Sequence, residues 1–199
     1  MAERENEIKF ILQKTEAFAT PFLEQGRGGW DIAHTKAVVY YAGLLAKNEG
    51  QDTVVLQIAA WLHDIGYFGQ FTESDGSNYS AVKDKKELHM QIGSEMARKF
   101  LESGEMTLLT TEQRERTVHL VEVHDKLEEL EALDEIILME ADTLGAIDLD
   151  RVIPSFDKEG QIKYADGLRK RRQPKFRTQS GIIILDQLLP KFEEYDPVN

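Results

Sequence analysis

The sequence contains no cysteine, which excludes disulfide bonds and metal sites built from thiolates. It also contains no apolar run close to the roughly 18 residues that a membrane-spanning helix requires. Its first ten residues, MAERENEIKF, are rich in charge and lack the apolar segment of a secretory signal peptide. From these absences we expect a cytoplasmic protein that has no membrane partner.

Positive charge is scarce as well. Lys and Arg total 24 against 36 Asp and Glu, which gives a formal net charge of −12 at pH 7. Because general binding to polynucleotides depends on a basic surface, we expect no polynucleotide partner. A small phosphorylated substrate held in one local site is compatible with this charge. The chain has 199 residues, enough for one ordinary domain with a sizeable core.

Strand patterns are nearly absent, because only Ile182 to Leu185 forms a short apolar run that could compete with a helix. Elsewhere apolar residues recur three and four positions apart, which is typical of amphipathic helices. We predict an all-α fold in a single domain over residues 1–199, with a core at about 28–150 and a C-terminal helical extension at 151–199. Helices are expected at 5–19, 30–47, 54–65, 87–102, 110–124, 134–146 and 180–192.

Two stretches between these helices lack periodicity. Residues 21–29 are predicted to be a connection, with GRGG as its most flexible part. Residues 66–86 are rich in Gly, Ser and Asp and are too long for an ordinary connector. We predict a long loop there, which would act as a mobile flap beside the centre of the molecule.

The most apolar helix, VVLQIAAWLHDIG at residues 54–66, ends with His63 and Asp64 side by side. Gly66 follows at the position where a helix C-cap favours a positive φ. A carboxylate near buried surface is costly without a neutralising positive charge, and the helix dipole disfavours an anion at a C-terminus. His63 could supply that charge, but a divalent cation would do so better.

Other predicted helices also present a histidine or an aspartate on an apolar face, and these residues are His34, His89, His124 and Asp142. Each could be an ordinary core histidine or a salt-bridge aspartate. Asp142, however, has no Lys or Arg within helical reach, which weakens a local salt bridge. His119 lies on a mixed face and is interpreted as a histidine without a special role.

Metal binding explains the set of inward histidines and aspartates. Imidazole nitrogens and carboxylate oxygens without thiolates suit Mn, Fe, Zn, Ni or Mg. Two histidines and two aspartates would leave coordination positions open for water and for a phosphate oxygen. The ion would polarise the phosphorus atom and lower the pKa of bound water. We therefore predict one divalent ion, with a second ion as an alternative.

Three segments carry a family signature: IAHTKAV at His34, AAWLHDIGYF at His63 and Asp64, and MEADTLGAI at Asp142. A His, then a His-Asp pair, then a distant Asp resembles the signature of the HD-domain metal-dependent phosphohydrolase superfamily. Two further segments, LHMQIGSEMARKFL and VEVHDK, resemble the helices that carry additional histidines in this family. The resemblance covers about residues 28–150.

The resemblance implies four metal ligands: His34, His63, Asp64 and Asp142. It also implies that His89 and His124 contact the substrate phosphate in a one-metal site or a second metal in a two-metal site. We expect Asp64 to orient the attacking water as well. The expected activity is hydrolysis of a phosphate ester bond in a small, nucleotide-like substrate.

Two alternatives are kept beside this hypothesis. One is a non-catalytic sensor that retains the HD scaffold, and the other is a di-iron oxygenase, as found among some relatives. The chain also departs from two subfamilies. Residues 65–68 offer no Glu after the His-Asp pair, which some deoxynucleotidases have. The GYP element and paired histidines of the cyclic-dinucleotide branch are absent, and His124-Asp125 stands instead.

Residues 163–177 form a basic run in an otherwise acidic chain. We interpret it as a phosphate clamp at the rim of the cleft. The candidate phosphate-binding residues are Arg169, Arg171 and Arg172. The alternative is a solvated surface, or a contact with acidic regions of this chain or of a second copy in a homo-oligomer.

Overall fold

The computed structural model describes residues 2–27, 29–71 and 79–196. Predictions that fall on residues 28, 72–78 and 197–199 lie outside these described residues. Within them the chain forms nine α-helices and no strand, which confirms the predicted all-α fold. The helices are α1 (Ala2–Leu23), α2 (Trp30–Asn48), α3 (Thr53–Leu62), α4 (Tyr79–Asp84), α5 (Lys86–Leu101), α6 (Thr111–Val123), α7 (Leu133–Ile147), α8 (Lys158–Gly167) and α9 (Gln179–Glu194).

Three short turns complete the described structure. A 3₁₀ turn at Ile65–Tyr67 follows α3, directly after the His-Asp pair. A π-helical turn at Leu168–Arg172 continues from α8, and a 3₁₀ turn at Gln173–Lys175 follows it. No helix among the described residues is both long and apolar enough to cross a membrane.

Helix α3 lies at the centre of the core, in contact with α1, α2, α6 and α7. Its residues Leu56, Ile58 and Leu62 are fully buried, which matches the apolar sequence that predicted it. The main hydrophobic cluster also includes Leu185 and Phe192 of α9. The C-terminal extension therefore shares the core, and the single domain over residues 1–199 stays a prediction.

Local sequence signals fix several helix starts. Asp52 caps α3, because its side chain accepts hydrogen bonds from the backbone N–H groups of Val54 and Val55 at 3.0 and 3.1 Å. The predicted capping box opens α6, since Thr110 and Gln113 each accept a backbone N–H of the other with their side chains. These caps satisfy N–H groups that a helix cannot pair internally.

The connection predicted at residues 21–29 begins too early. Helix α1 continues through Pro21 to Leu23. Proline breaks a helix by removing an N–H donor, but burial compensates here. Leu23 is 1% exposed, and the ring of Phe22 packs on that of Phe18 with centroids 5.2 Å apart.

The loop predicted at residues 66–86 is wrong in part. Its start belongs to the 3₁₀ turn, and its end contains α4 and the beginning of α5. Helix α4 has only six residues, too few to show helical periodicity in the sequence. Val82 of α4 is buried and packs with Tyr67 and Phe156, so tertiary contact stabilises this helix.

Gly66 does not have the positive φ predicted for it, because positive φ among the described residues occurs at Gly29, Gly50 and Gly69 only. Glycine is required at 66 for a different reason. A Cβ atom there would lie 2.0 Å from the carbonyl oxygen of His89. The 3₁₀ turn and α5 therefore touch backbone to backbone, directly beside the His-Asp pair.

Candidate metal centre

The structure brings the four predicted ligands close together. His34 projects from α2, His63 and Asp64 directly follow the end of α3, and Asp142 projects from α7. The Nε2 atom of His34 lies 3.0 Å from Asp142 Oδ1 and 3.3 Å from His63 Nε2. Asp142 Oδ1 is 3.6 Å from His63 Nε2. Donor atoms about 2.1 Å from a shared ion lie roughly 3.0–3.5 Å apart, so this set has the spacing of a metal site.

A second group of donors adjoins the first. His89 of α5 and His124 at the end of α6 face each other, with their Nε2 atoms 3.2 Å apart. Asp64 Oδ1 lies 3.5 Å from His89 Nε2 and 3.9 Å from His124 Nε2. The other oxygen, Oδ2, is 3.3 Å from His63 Nε2. The Asp64 carboxylate thus presents one oxygen to each group, and the two groups could hold one or two ions.

Backbone carbonyls set the orientation of two histidine rings. His63 Nδ1 lies 2.7 Å from the carbonyl oxygen of Ala60, and His124 Nδ1 lies 2.8 Å from that of Val121. When Nδ1 donates to a carbonyl, Nε2 keeps the lone pair that a metal ion requires. His34 Nδ1 is buried and has no partner among the described residues. These tautomers fit the donor set expected of a metal site.

Each candidate carboxylate is paired with a buried arginine, which the sequence analysis did not anticipate. Arg27 donates to Asp64 Oδ2 at 2.5 Å and also to Asp31. Arg172 donates to Asp142 Oδ2 at 2.6 Å. The prediction that Asp142 lacks a local salt bridge is consistent with this, because Arg172 is distant in sequence. The sequence alone suggests His63 or a divalent cation as the positive charge beside Asp64, and the structure adds Arg27.

A continuous stack of side chains connects the two groups of donors. The order in the stack is His34, Trp30, Arg27, Tyr67 and His89. In that order, successive members lie 4.4, 4.4, 4.6 and 4.0 Å apart, measured between ring centroids or from the guanidinium carbon to a ring centroid. Stacking and cation–π contacts of this kind restrict ring orientation. The stack therefore fixes one histidine in each group.

The charges of the site keep both aspartates ionised. Burial opposes the charge of Asp64, but His63 and Arg27 outweigh it and hold the pKa of that carboxyl well below its usual range. Burial also opposes the charge of Asp142, where Arg172 is the largest opposing influence and again lowers the pKa well below the usual value. Ionised carboxylates are the form that binds a cation.

The pKa values of two of the histidines, His63 and His89, are shifted in opposite directions. Burial lowers the pKa of His63, but the Asp64 and Asp142 carboxylates outweigh burial and raise it to about 10. Burial, reinforced by His124, lowers the pKa of His89 to about 3. Without an ion, the first group of donors thus attracts a proton, whereas the second contains neutral imidazole. The carboxylates that raise the pKa of His63 would also favour a metal cation in place of the proton.

The donors lie at one side of a cleft with about 970 Å³ of empty space, open solvent at its mouth included. Small molecules bind in concave, partly apolar clefts of this kind. Cationic residues on the lining include Lys83, Lys86 and Arg171. Aromatic residues on the lining include Tyr79, Phe156 and Tyr164. The cleft therefore combines positive charge with aromatic surface near the candidate ligands.

The three arginines predicted to bind phosphate occupy different surroundings. Arg171 is exposed and lines the cleft. Arg172 is buried against carboxylates of the site. Arg169 pairs with Glu193 at 2.5 Å and does not line the cleft, so the geometry gives no support to its predicted role. His119 is 43% exposed on its side chain and bonds to Glu135, in keeping with the interpretation given to it.

Sequence reasoning missed several residues of the site. Arg27 falls in the GRGG segment that we interpreted as flexible, and its side chain is 8% exposed. Trp30 lies four residues before His34 on α2, and this spacing permits the observed stack. Asp125 follows His124 in a second His-Asp pair, which was a usable signal.

Comparison with known proteins agrees with this geometry. The family model described as HD domain matches residues 31–147. Ribonuclease Y of Clostridium novyi (strain NT) is 30% identical over 116 residues, which are 58% of this chain and 18% of that protein. Ribonuclease Y of Thermoanaerobacter pseudethanolicus (strain ATCC 33223 / 39E) is 25% identical over 176 residues, 84% of this chain and 29% of that protein. No solved structure matches.

The chain thus spans less than a third of the length of these two curated relatives. The matched segment is more than half of the chain and contains both groups of donors. The family implies a divalent metal, and the donor set described above fits one. The chain belongs to the HD-domain family of metal-dependent phosphohydrolases.

Proposed function

We propose that this protein hydrolyses a phosphate ester bond in a small, nucleotide-like substrate. The candidate metal ligands are His34, His63, Asp64 and Asp142. The observation that carries the proposal is the convergence of these side chains beside the cleft. The Nε2 atoms of the two histidines lie 3.3 Å apart, and each lies 3.0–3.6 Å from an oxygen of Asp64 and an oxygen of Asp142. Neither the ligand set nor the substrate follows from family membership alone.

Asp64 has two tasks in this proposal. A bound divalent ion supplies a Lewis acid that polarises the phosphoryl group and makes water more acidic. Asp64 contributes Oδ2 to the first group of donors and keeps Oδ1 on the side of His89 and His124. Because its pKa is held low, the carboxylate can accept a hydrogen bond from the attacking water and orient it.

His89 and His124 either contact the substrate phosphate or hold a second ion. Their Nε2 atoms lie 3.2 Å apart, and burial keeps the pKa of both below the usual value. Neutral imidazoles suit a metal ion better than a phosphate. Each offers a nitrogen lone pair to the cation, and neither carries a positive charge that would attract an anion. The metal content of His89→Ala separates the two roles, since loss of one equivalent indicates a second ion.

The cleft supports a substrate that has both phosphate and a planar ring. Lys83 and the exposed Arg171 lie on the cleft lining, where cationic side chains can bind phosphate oxygens. Tyr79, Phe156 and Tyr164 form an edge-to-face and tilted aromatic group on the same lining. Aromatic surfaces of this kind stack with nucleobases. A nucleotide supplies both features in one small molecule.

RNA is the second candidate substrate, because both relatives are named Ribonuclease Y. That name describes proteins of which this chain spans only 18% and 29%. The net charge of −12 opposes binding of a long polyanion. We therefore favour the small substrate. The names of these relatives do not support the non-catalytic sensor or the di-iron oxygenase. The homo-oligomer stays a prediction.

A substrate panel tests the proposal. The full chain, supplied with Mn²⁺, is assayed for phosphate release from nucleoside monophosphates and for cleavage of a single-stranded RNA oligomer. We expect turnover of the mononucleotides to exceed that of the oligomer. Cleavage of the RNA oligomer without turnover of the mononucleotides would agree with a phosphohydrolase but would overturn the proposal of a small substrate. No turnover of either, with Mn²⁺ bound, would favour the sensor.

A further inference from the structure

Arg172 reaches the candidate metal centre from outside the family segment. The HD domain match ends at residue 147, whereas Arg172 ends the π-helical turn Leu168–Arg172. Leu168 and Arg172 are buried, and the three residues between them are exposed. The wide π turn directs both of its ends inward, and such turns are frequent at functional sites.

Three acceptors hold the guanidinium of Arg172. Its Nη1 donates to Asp142 Oδ2 at 2.6 Å and to Thr143 Oγ1 at 2.8 Å. Its Nη2 donates to Asp125 Oδ1. The side chain is 10% exposed. A planar guanidinium held in this way has one orientation, which a flexible ammonium does not reproduce.

The two oxygens of Asp142 have different partners. Oδ2 accepts from Arg172, while Oδ1 lies 3.0 Å from His34 Nε2 and 3.6 Å from His63 Nε2. Rotation of the carboxylate would exchange its oxygens, and the bond from Arg172 opposes that rotation. Oδ1 is therefore the Asp142 oxygen that faces His34 and His63.

The other arm of Arg172 reaches Asp125, which is next to the second group of donors. Asp125 follows His124 directly, and its Oδ2 accepts from Lys86 Nζ at 2.5 Å. Lys86 lies three residues before His89 on α5. One side chain of the C-terminal extension therefore links α7, the end of α6 and the start of α5.

We infer that Arg172 is a positioning residue that orients Asp142 for the metal ion, rather than a phosphate-binding residue. The inference rests on the proposed metal site. Both of its Nη atoms already face carboxylates, which compete with a substrate phosphate for the same donors. A partner that holds the other oxygen of a metal ligand orients that ligand without touching the ion.

Two substitutions separate orientation from charge. Arg172→Lys keeps the positive charge and loses the planar fork, and Arg172→Gln loses the charge as well. Isothermal titration calorimetry with Mn²⁺ is performed on the full chain after chelation, and circular dichroism verifies the fold. Removing the partner of a metal ligand weakens metal binding by roughly 10- to 100-fold. We expect a loss of this size for both variants.

Two controls accompany these variants. Arg169→Lys changes an exposed arginine of the same turn, which pairs with Glu193, and should leave Mn²⁺ binding unchanged. Asp125→Asn weakens the other arm of Arg172 but leaves its contact with Asp142, so it should affect binding less than Arg172→Lys. A general loosening of the extension would instead affect Asp125→Asn and Arg172→Lys equally.

The outcomes are distinguishable. If the unchanged protein binds no Mn²⁺, the proposed function fails together with the inference. If it binds Mn²⁺ and Arg172→Lys binds equally well, the inference alone is wrong. Tighter binding by Arg172→Gln would also overturn it, because that result would show a cation competing with the metal ion.

Discussion

Asp64 and Asp142 each have an arginine partner that lies far away in sequence. Arg27 is 37 residues from Asp64, and Arg172 is 30 residues from Asp142. The candidate ligands could be predicted from sequence because residue type and helix face are local properties. Their partners could not, because only the packing of distant segments brings these arginines to the carboxylates.

Arg27→Ala should strongly destabilise the fold in the presence of a chelator. The change leaves the buried carboxylates Asp31 and Asp64 without their cation, and removing one partner of a buried ion pair costs about 3–5 kcal/mol. Urea unfolding followed by circular dichroism measures this loss.

The matched control for that measurement is Arg98→Ala. Arg98 is 45% exposed on its side chain and pairs with Glu115 at 2.9 Å, and an exposed pair contributes under about 1 kcal/mol. Equal losses in the two variants would show that the buried network around Arg27 has no special weight.

At the scale of elements, long periodic helices were predictable and short elements were not. Helices α2, α3, α5, α6 and α7 follow apolar stripes that the sequence displays. Helix α4, the π turn at Leu168–Arg172 and the end of α1 after Pro21 depend on contacts with distant residues. The same holds for Gly66, whose role is set by the backbone of α5.

Gly66→Ala should destabilise the protein by about 1–3 kcal/mol or more, the range for overpacking a filled site. Its Cβ would lie 2.0 Å from the His89 carbonyl oxygen and 2.6 Å from the Gly93 nitrogen, so α5 must shift. Thermal and urea unfolding both measure the effect. Gly104→Ala is the control, because a Cβ there meets nothing within 4 Å. A neutral Gly66→Ala would contradict the close approach.

Glu135 stabilises the start of α7 in a pH-dependent manner. Burial opposes its charge, but backbone N–H groups of Glu131 and Ala132, together with His119 and Arg116, lower its pKa from 4.5 to about 2. A carboxyl whose pKa is lower in the folded than in the unfolded chain stabilises the fold at pH values above the unfolded pKa. This stabilisation is lost as pH falls from about 4.5 towards 2.

Glu135→Gln should therefore cost about 1.5–3 kcal/mol at neutral pH, the range for hydrogen bonds to a charged group. The difference from the unchanged protein should shrink as pH falls below about 4.5. Urea unfolding at a series of pH values gives both results. A difference that does not depend on pH would show that the charge of Glu135 contributes nothing.

At the scale of the whole molecule, the cleft is built from two parts of the chain. The candidate ligands lie within residues 31–147, whereas Phe156, Tyr164 and Arg171 on the cleft lining come from the C-terminal extension. The sequence could predict the family from the first part, because its motifs are contiguous. It could not predict the substrate, because the lining that selects it forms only when the extension folds over the helices of the core.

We propose that Asp64 serves a metal-dependent hydrolysis of phosphate esters. The most direct test is the rate of phosphate release from a nucleoside monophosphate after chelation and after return of Mn²⁺, for the unchanged protein, Asp64→Asn and His119→Ala. We predict that chelation abolishes turnover and that Mn²⁺ restores it in the unchanged protein and in His119→Ala, but not in Asp64→Asn. Turnover that survives chelation, or that Asp64→Asn retains in Mn²⁺, would contradict the claim.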